Sequence, residues 1–67
     1  EADSANTEAL NNLGIALVRA GRAAEAEKYF REALLINPSL DRTRTNLELL
    51  LAGKLENALG LHNGPRR

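Results

Sequence analysis

Apolar residues recur at three- and four-residue steps over most of this chain. Ala9, Leu10, Leu13, Ala16, Leu17 and Ala20 follow that spacing, which predicts a helix with one buried stripe. After Gly21 the period starts again. Ala23, Ala26, Phe30, Ala33, Leu34 and Ile36 alternate with Glu25, Glu27, Lys28, Arg31 and Glu32, so a second helix is expected to bury the first set and solvate the second. Gly21 can adopt the left-handed conformation that closes a helix, and Pro38 has no N–H to continue one and restricts Asn37 before it. The pattern therefore predicts an αα-hairpin.

Small residues stand where two such helices would touch: Gly14 inside the first, Ala26 and Ala33 in the second. A glycine inside a helix costs roughly 1 kcal/mol relative to alanine, which suggests a packing reason for Gly14.

The ordered set Leu10, Leu13-Gly14, Leu17, Gly21, Ala26, Phe30, Ala33 and Pro38 resembles the tetratricopeptide repeat, a helix-turn-helix unit of ~34 residues. Leu10 and Leu17 stand where the family more often has aromatics and keep the apolar character. Arg22 stands where an Asp is common and weakens the expected helix cap. The resemblance implies an all-α fold of the α-solenoid type, with a right-handed superhelical stack as the family's architecture. It implies a complete repeat over 7–40, a partial second repeat or capping helix over 41–59 and a tail over 60–67, all in one small module spanning 1–67.

Beyond Pro38 two registers compete. A shift by the family period of ~34 residues carries Asn12-Leu13 onto Asn46-Leu47 and Leu17 onto Leu51, although Gly14 then meets Glu48 and Leu10 meets Arg44. A register about two residues shorter matches Ala20-Gly21-Arg22 with Ala52-Gly53-Lys54, and Ala26 with Ala58. In the longer register Ser39 caps one helix from Leu40 to about Leu59 that runs through Gly53; in the shorter one Gly53 is a turn before a truncated helix from Leu55 to His62. The continuous helix is preferred, because isolated helices below ~12 residues are marginal.

Function follows from the resemblance as a class. Stacked tetratricopeptide repeats line a concave groove with their first helices, and the corresponding positions here are Glu8, Asn11, Asn12, Ile15, Arg19, Arg42, Thr45, Asn46 and Leu49. Asn12 and Asn46 are equivalent in the longer register, and an asparagine amide can both donate to and accept from a peptide backbone. The expected partner is therefore a peptide or protein. The alternative is self-assembly: Leu47, Leu50, Leu51, Leu55 and Leu59, with Ala58 and Leu61, make an apolar surface wider than one hairpin needs, and a second copy would cover it.

Composition narrows the classes. With 67 residues, 43% hydrophobic content and only Tyr29 and Phe30 as aromatics, the chain holds one small core. Domains of this size bury about 60% of their unfolded surface, and such cores rarely supply more than ~3–5 kcal/mol. Nine basic and nine acidic residues balance, so the basic excess used on phosphate backbones is missing and nucleic acid is not an expected partner. Arg19, Arg22, Arg42 and Arg44 read as parts of solvated helix faces. No apolar run approaches the ~20 residues of a membrane span, so no membrane is expected and a soluble, cytoplasmic setting is.

Catalysis has no visible basis. His62 is the lone histidine, there is no cysteine, and Glu25, Glu27 and Glu32 are spaced as a charged surface in which Glu27 and Arg31 form an i,i+4 pair. Leu13-Gly14 and the segment 60–64 do not form a phosphate-cradling loop. No enzyme, cofactor or metal is expected. Glu1 at the start, and Gly64-Pro65 before Arg66-Arg67 at the end, read as the ends of an excised, processed or engineered piece.

Overall fold

In the computed structural model, residues 4–60 are described. They form α1 (Ser4–Arg19), α2 (Ala23–Ile36), α3 (Asp41–Leu51) and a single-turn α4 (Leu55–Ala58). α1 and α2 make the hairpin, α3 packs on α2, and α4 folds back to touch both α3 and α1. The core consists of Val18, Ala26, Phe30, Leu47 and Leu55, flanked by the half-buried Ile15, Leu17, Leu34, Leu49, Leu50 and Leu59.

The turn from α1 to α2 closes as the glycine demands. Gly21 has φ +80°, its N–H donates to the Val18 carbonyl at 3.0 Å, and the Arg22 N–H donates to Leu17 at 2.8 Å, the paired bonds of a Schellman motif. The same geometry recurs after α3, where Gly53 has φ +75° and the N–H groups of Gly53 and Lys54 donate to Leu50 at 3.0 Å and Leu49 at 2.8 Å. This overturns the continuous third helix: Gly53 is a turn, and the shorter register holds here. A left-handed residue ends the α-helical ladder, and the freed carbonyls are satisfied locally, so length propensity is overridden.

The start of α3 also departs from expectation. The N-cap position is Leu40, which makes no side-chain cap, while the Ser39 N–H donates to Asn37 Oδ1 at 3.1 Å. Asn37, extended at φ −143° and ψ 94°, turns the chain across Pro38 and holds Ser39 there. Arg22 likewise makes no cap on α2; it pairs instead with Glu25 at 2.8 Å on the surface.

The largest correction concerns α1. Its buried face is Thr7, Asn11, Gly14 and Val18; most of the expected stripe faces outward, with Ala9, Leu13, Ala16 and Ala20 exposed and Leu10 half-buried, while Leu17 keeps a half-buried place against the core. At 3.6 residues per turn the two stripes lie roughly a third of a turn apart. Steric fit decides between them. Phe30, fully buried on α2, needs a recess in α1, and Gly14 supplies it: a Cβ there would stand 2.5 Å from Phe30 Cε1. Turning Gly14 toward Phe30 brings Thr7, Asn11 and Val18 inward with it. On α2, Ala26, Phe30 and Ala33 are buried as expected, whereas Ile36 is exposed.

Candidate functional site

Burial of Thr7 and Asn11 has a consequence between the helices, because polar groups turned inward must find partners. Asn11 Oδ1 accepts a hydrogen bond from Thr43 Oγ1 at 3.0 Å and another from Asn46 Nδ2 at 3.1 Å. Asn11 is 5% exposed and Thr43 2%, so a buried polar bridge ties α1 to α3. Among the described residues no buried side-chain nitrogen or oxygen lacks a partner.

Beside this bridge lies a cleft of about 320 Å³, lined by Thr7, Glu8 and Asn11 from α1 and by Ser39, Leu40, Asp41, Arg42 and Thr43 from the start of α3. Its rim carries both signs of charge. Asp41 is paired with Arg44, whereas Glu8 and Arg42 join no ion pair among the described residues.

The candidate groove residues separate into distinct environments. Glu8, Asn12 and Arg19 are exposed on one flank of α1, with Ile15 half-buried between them against the core. Arg42 and Thr45 are exposed on α3, Asn46 is half-buried, and Leu49 packs against the core. The cleft brings Glu8, Asn11 and Arg42 together. Asn12 and Asn46 are not equivalent in their surroundings: Asn12 is exposed, while Asn46 is bonded to the buried Asn11. Thr7, Ser39, Leu40, Asp41 and Thr43 line the cleft but lie outside the groove positions that the sequence suggests. The shorter register, which sets Asn11 against Thr43, was the available signal for one of them.

The candidate self-association residues are largely spent within the chain. Leu47 and Leu55 are buried, Leu50 and Leu59 are half-buried against the core, and Leu51 stays 57% exposed. Leu61, His62 and the arginines at 66 and 67 lie outside the described residues. The described residues gather no cluster of three His, Cys, Asp or Glu side chains suited to a metal ion. None of their helices is long and apolar enough to cross a membrane.

A family model described as tetratricopeptide repeat covers residues 7–40, just over half of the chain. No curated protein and no solved structure matches the chain.

Proposed function

Because the chain belongs to the tetratricopeptide repeat family, whose members are generally protein-interaction modules, we propose that it binds an extended peptide segment of a protein partner along α1 and α3. The cleft between Glu8 and Arg42 carries this reading. It is concave, is lined mostly by polar and charged residues with Leu40 among them, and places one unpaired charge of each sign at its edge, which suits a neutral, dipolar main chain with mixed side chains better than a uniformly charged polymer. Asn12, Ile15 and Arg19 extend the surface along α1, and Thr45, Asn46 and Leu49 extend it along α3.

The test is a nuclear magnetic resonance titration of the ¹⁵N-labelled chain with a mixed library of capped heptapeptides. Shifts confined to α1 and α3 support the reading, and Asn12→Ala with Arg42→Ala should weaken them without loss of helix. Shifts mapping to the outer face of α2 instead would overturn it. Self-association through α3 would have to rest chiefly on Leu51, since Leu47 and Leu55 are committed to the core. Peptide binding is therefore the reading we adopt.

A further inference from the structure

α1 carries an apolar face that the hairpin does not use. Ala9, Leu13, Ala16 and Ala20 are exposed, Leu13 at 42%, and Leu10 and Leu17 flank them half-buried. At about 3.6 residues per turn this face is centred nearly half a turn from Thr7, Asn11, Gly14 and Val18, so packing against α2 and α3 leaves its centre open. The spacing from Ala9 to Ala20 runs in steps of four, three and four residues, the steps that keep a seam turned toward a second helix.

Shape and charge say which helix that is. Reversed end for end about a midpoint between Gly14 and Ile15, the pattern meets itself: Leu13 falls opposite Ala16, Ala9 opposite Ala20 and Leu10 beside Leu17. The large seam side chain then meets a small one, the alternation that lets facing helices interdigitate. Glu8 and Arg19 are exposed near the two ends of one flank, and neither joins an ion pair among the described residues. The same reversal brings Glu8 to within about 3 Å, measured along the axis, of the partner's Arg19, and Arg19 equally near the partner's Glu8. A parallel arrangement would set like charges side by side instead.

We propose that α1 is the contact through which two copies of this chain associate, as an antiparallel α1–α1 pair about a two-fold axis beside Gly14 and Ile15. The apolar seam supplies the attraction, and the two reciprocal Glu8–Arg19 pairs fix its direction. The contact is isologous, so it closes at two chains. One 16-residue helix from each copy makes a short seam, which puts the association among the weak, transient interfaces. The inference goes beyond peptide binding: Glu8 and Arg19 also belong to the flank assigned to peptide, whereas the apolar seam does not.

The experiment is sedimentation equilibrium of the whole chain from about 20 μM to about 2 mM, a range suited to a weak interface. The mean mass of the wild type should rise from one chain toward two. Leu13→Lys changes an exposed position, so it should keep the helical circular dichroism signal and stay monomeric throughout. Arg19→Glu should weaken association at least about fivefold, in keeping with the loss of two exposed pairs. Adding Glu8→Arg to the same chain should return it to the wild-type level. Glu8 and Arg19 stand about 16 Å apart along one α1, too far to pair within a chain, so this rescue reports the contact between copies.

A wild type that stays monomeric at the highest concentration overturns the proposal. So does association of Leu13→Lys at the wild-type level, or a double variant no better than Arg19→Glu. Loss of association in Leu51→Lys with none in Leu13→Lys moves the contact to α3 and overturns it as well. Should Leu13→Lys lose its helices, the charge exchange decides. A monomeric wild type that still gives peptide-induced resonance shifts along α1 and α3 removes this inference and leaves peptide binding standing.

Discussion

The ring of Phe30 occupies the space that a side chain at residue 14 would need. A Cβ on Gly14 would lie 2.5 Å from Cε1 and 2.9 Å from Cδ1 and Cζ of that ring. One glycine and one aromatic thus set the rotation of α1 about its axis, and through it decide that Asn11 faces α3.

Gly14→Ala tests this contact with opposing effects. Alanine gains roughly 1 kcal/mol of helix propensity over glycine, whereas over-packing a fixed ring costs roughly 1–3 kcal/mol. The approach is too close for the ring to give by a few tenths of an ångström, so a net loss of stability is expected in urea denaturation. A stabilised variant would show that Phe30 can move aside. Phe30→Ala should cost about 3–5 kcal/mol, comparable with all that a core of this size supplies, and the chain should then lose its helical circular dichroism signal.

Gly53 separates a turn from a continuous helix by the sign of one substitution. At φ +75° an alanine would incur roughly 1–2 kcal/mol of left-handed strain, whereas inside a helix the same change would stabilise by roughly 1 kcal/mol. Destabilisation by Gly53→Ala, matched by Gly21→Ala as the reference turn, is the expected outcome in thermal unfolding.

Leucines in the C-terminal half should respond unequally to charge. Leu55 is 1% exposed in the core, so Leu55→Lys should unfold the chain, because an unpaired buried ammonium is far costlier than the burial it replaces. Leu51→Lys should change stability by no more than about 0.5 kcal/mol, as is usual for surface positions. Light scattering of wild type and Leu51→Lys over a wide concentration range then isolates any association through α3, free of the folding defect that Leu55→Lys would introduce.

Surface ion pairs should matter little. Arg31 Nε and Glu27 Oε2 are 2.8 Å apart on the open face of α2, with side chains 55% and 36% exposed. Exposed i,i+4 pairs contribute about 0.2–0.5 kcal/mol. Arg31→Ala should therefore shift the urea midpoint only slightly, and less still at 1 M salt, where screening is short-ranged.

Glu27 to Arg31, the glycine turn at Gly21 and the stop at Asn37-Pro38 were legible in the sequence because each depends on neighbours within one or two helical turns. The inward face of α2 was legible too, since Ala26, Phe30 and Ala33 combine helical spacing with the chain's one phenylalanine. α1 misled because its hydrophobic periodicity and its steric complementarity point in different directions. Leu10, Leu13 and Leu17 carry the stronger apolar signal, but none offers the recess that Phe30 requires. In the candidate site Glu8 and Arg42 could be placed on helices in advance, while the burial of Asn11 and its bond to Thr43 could not.

By itself, the amino-acid sequence determined that the chain is helical, where the first hairpin turns, which repeat family it joins and which residue types line one flank of α1 and α3. The tertiary structure alone decided the face that α1 turns inward, the end of α3 at Gly53 and the amide bridge beside the cleft. The physical reason is range. Propensity, capping and turn chemistry act through covalently near groups, whereas the fit of Phe30 against Gly14 and the partners of Asn11 exist only once distant segments are packed.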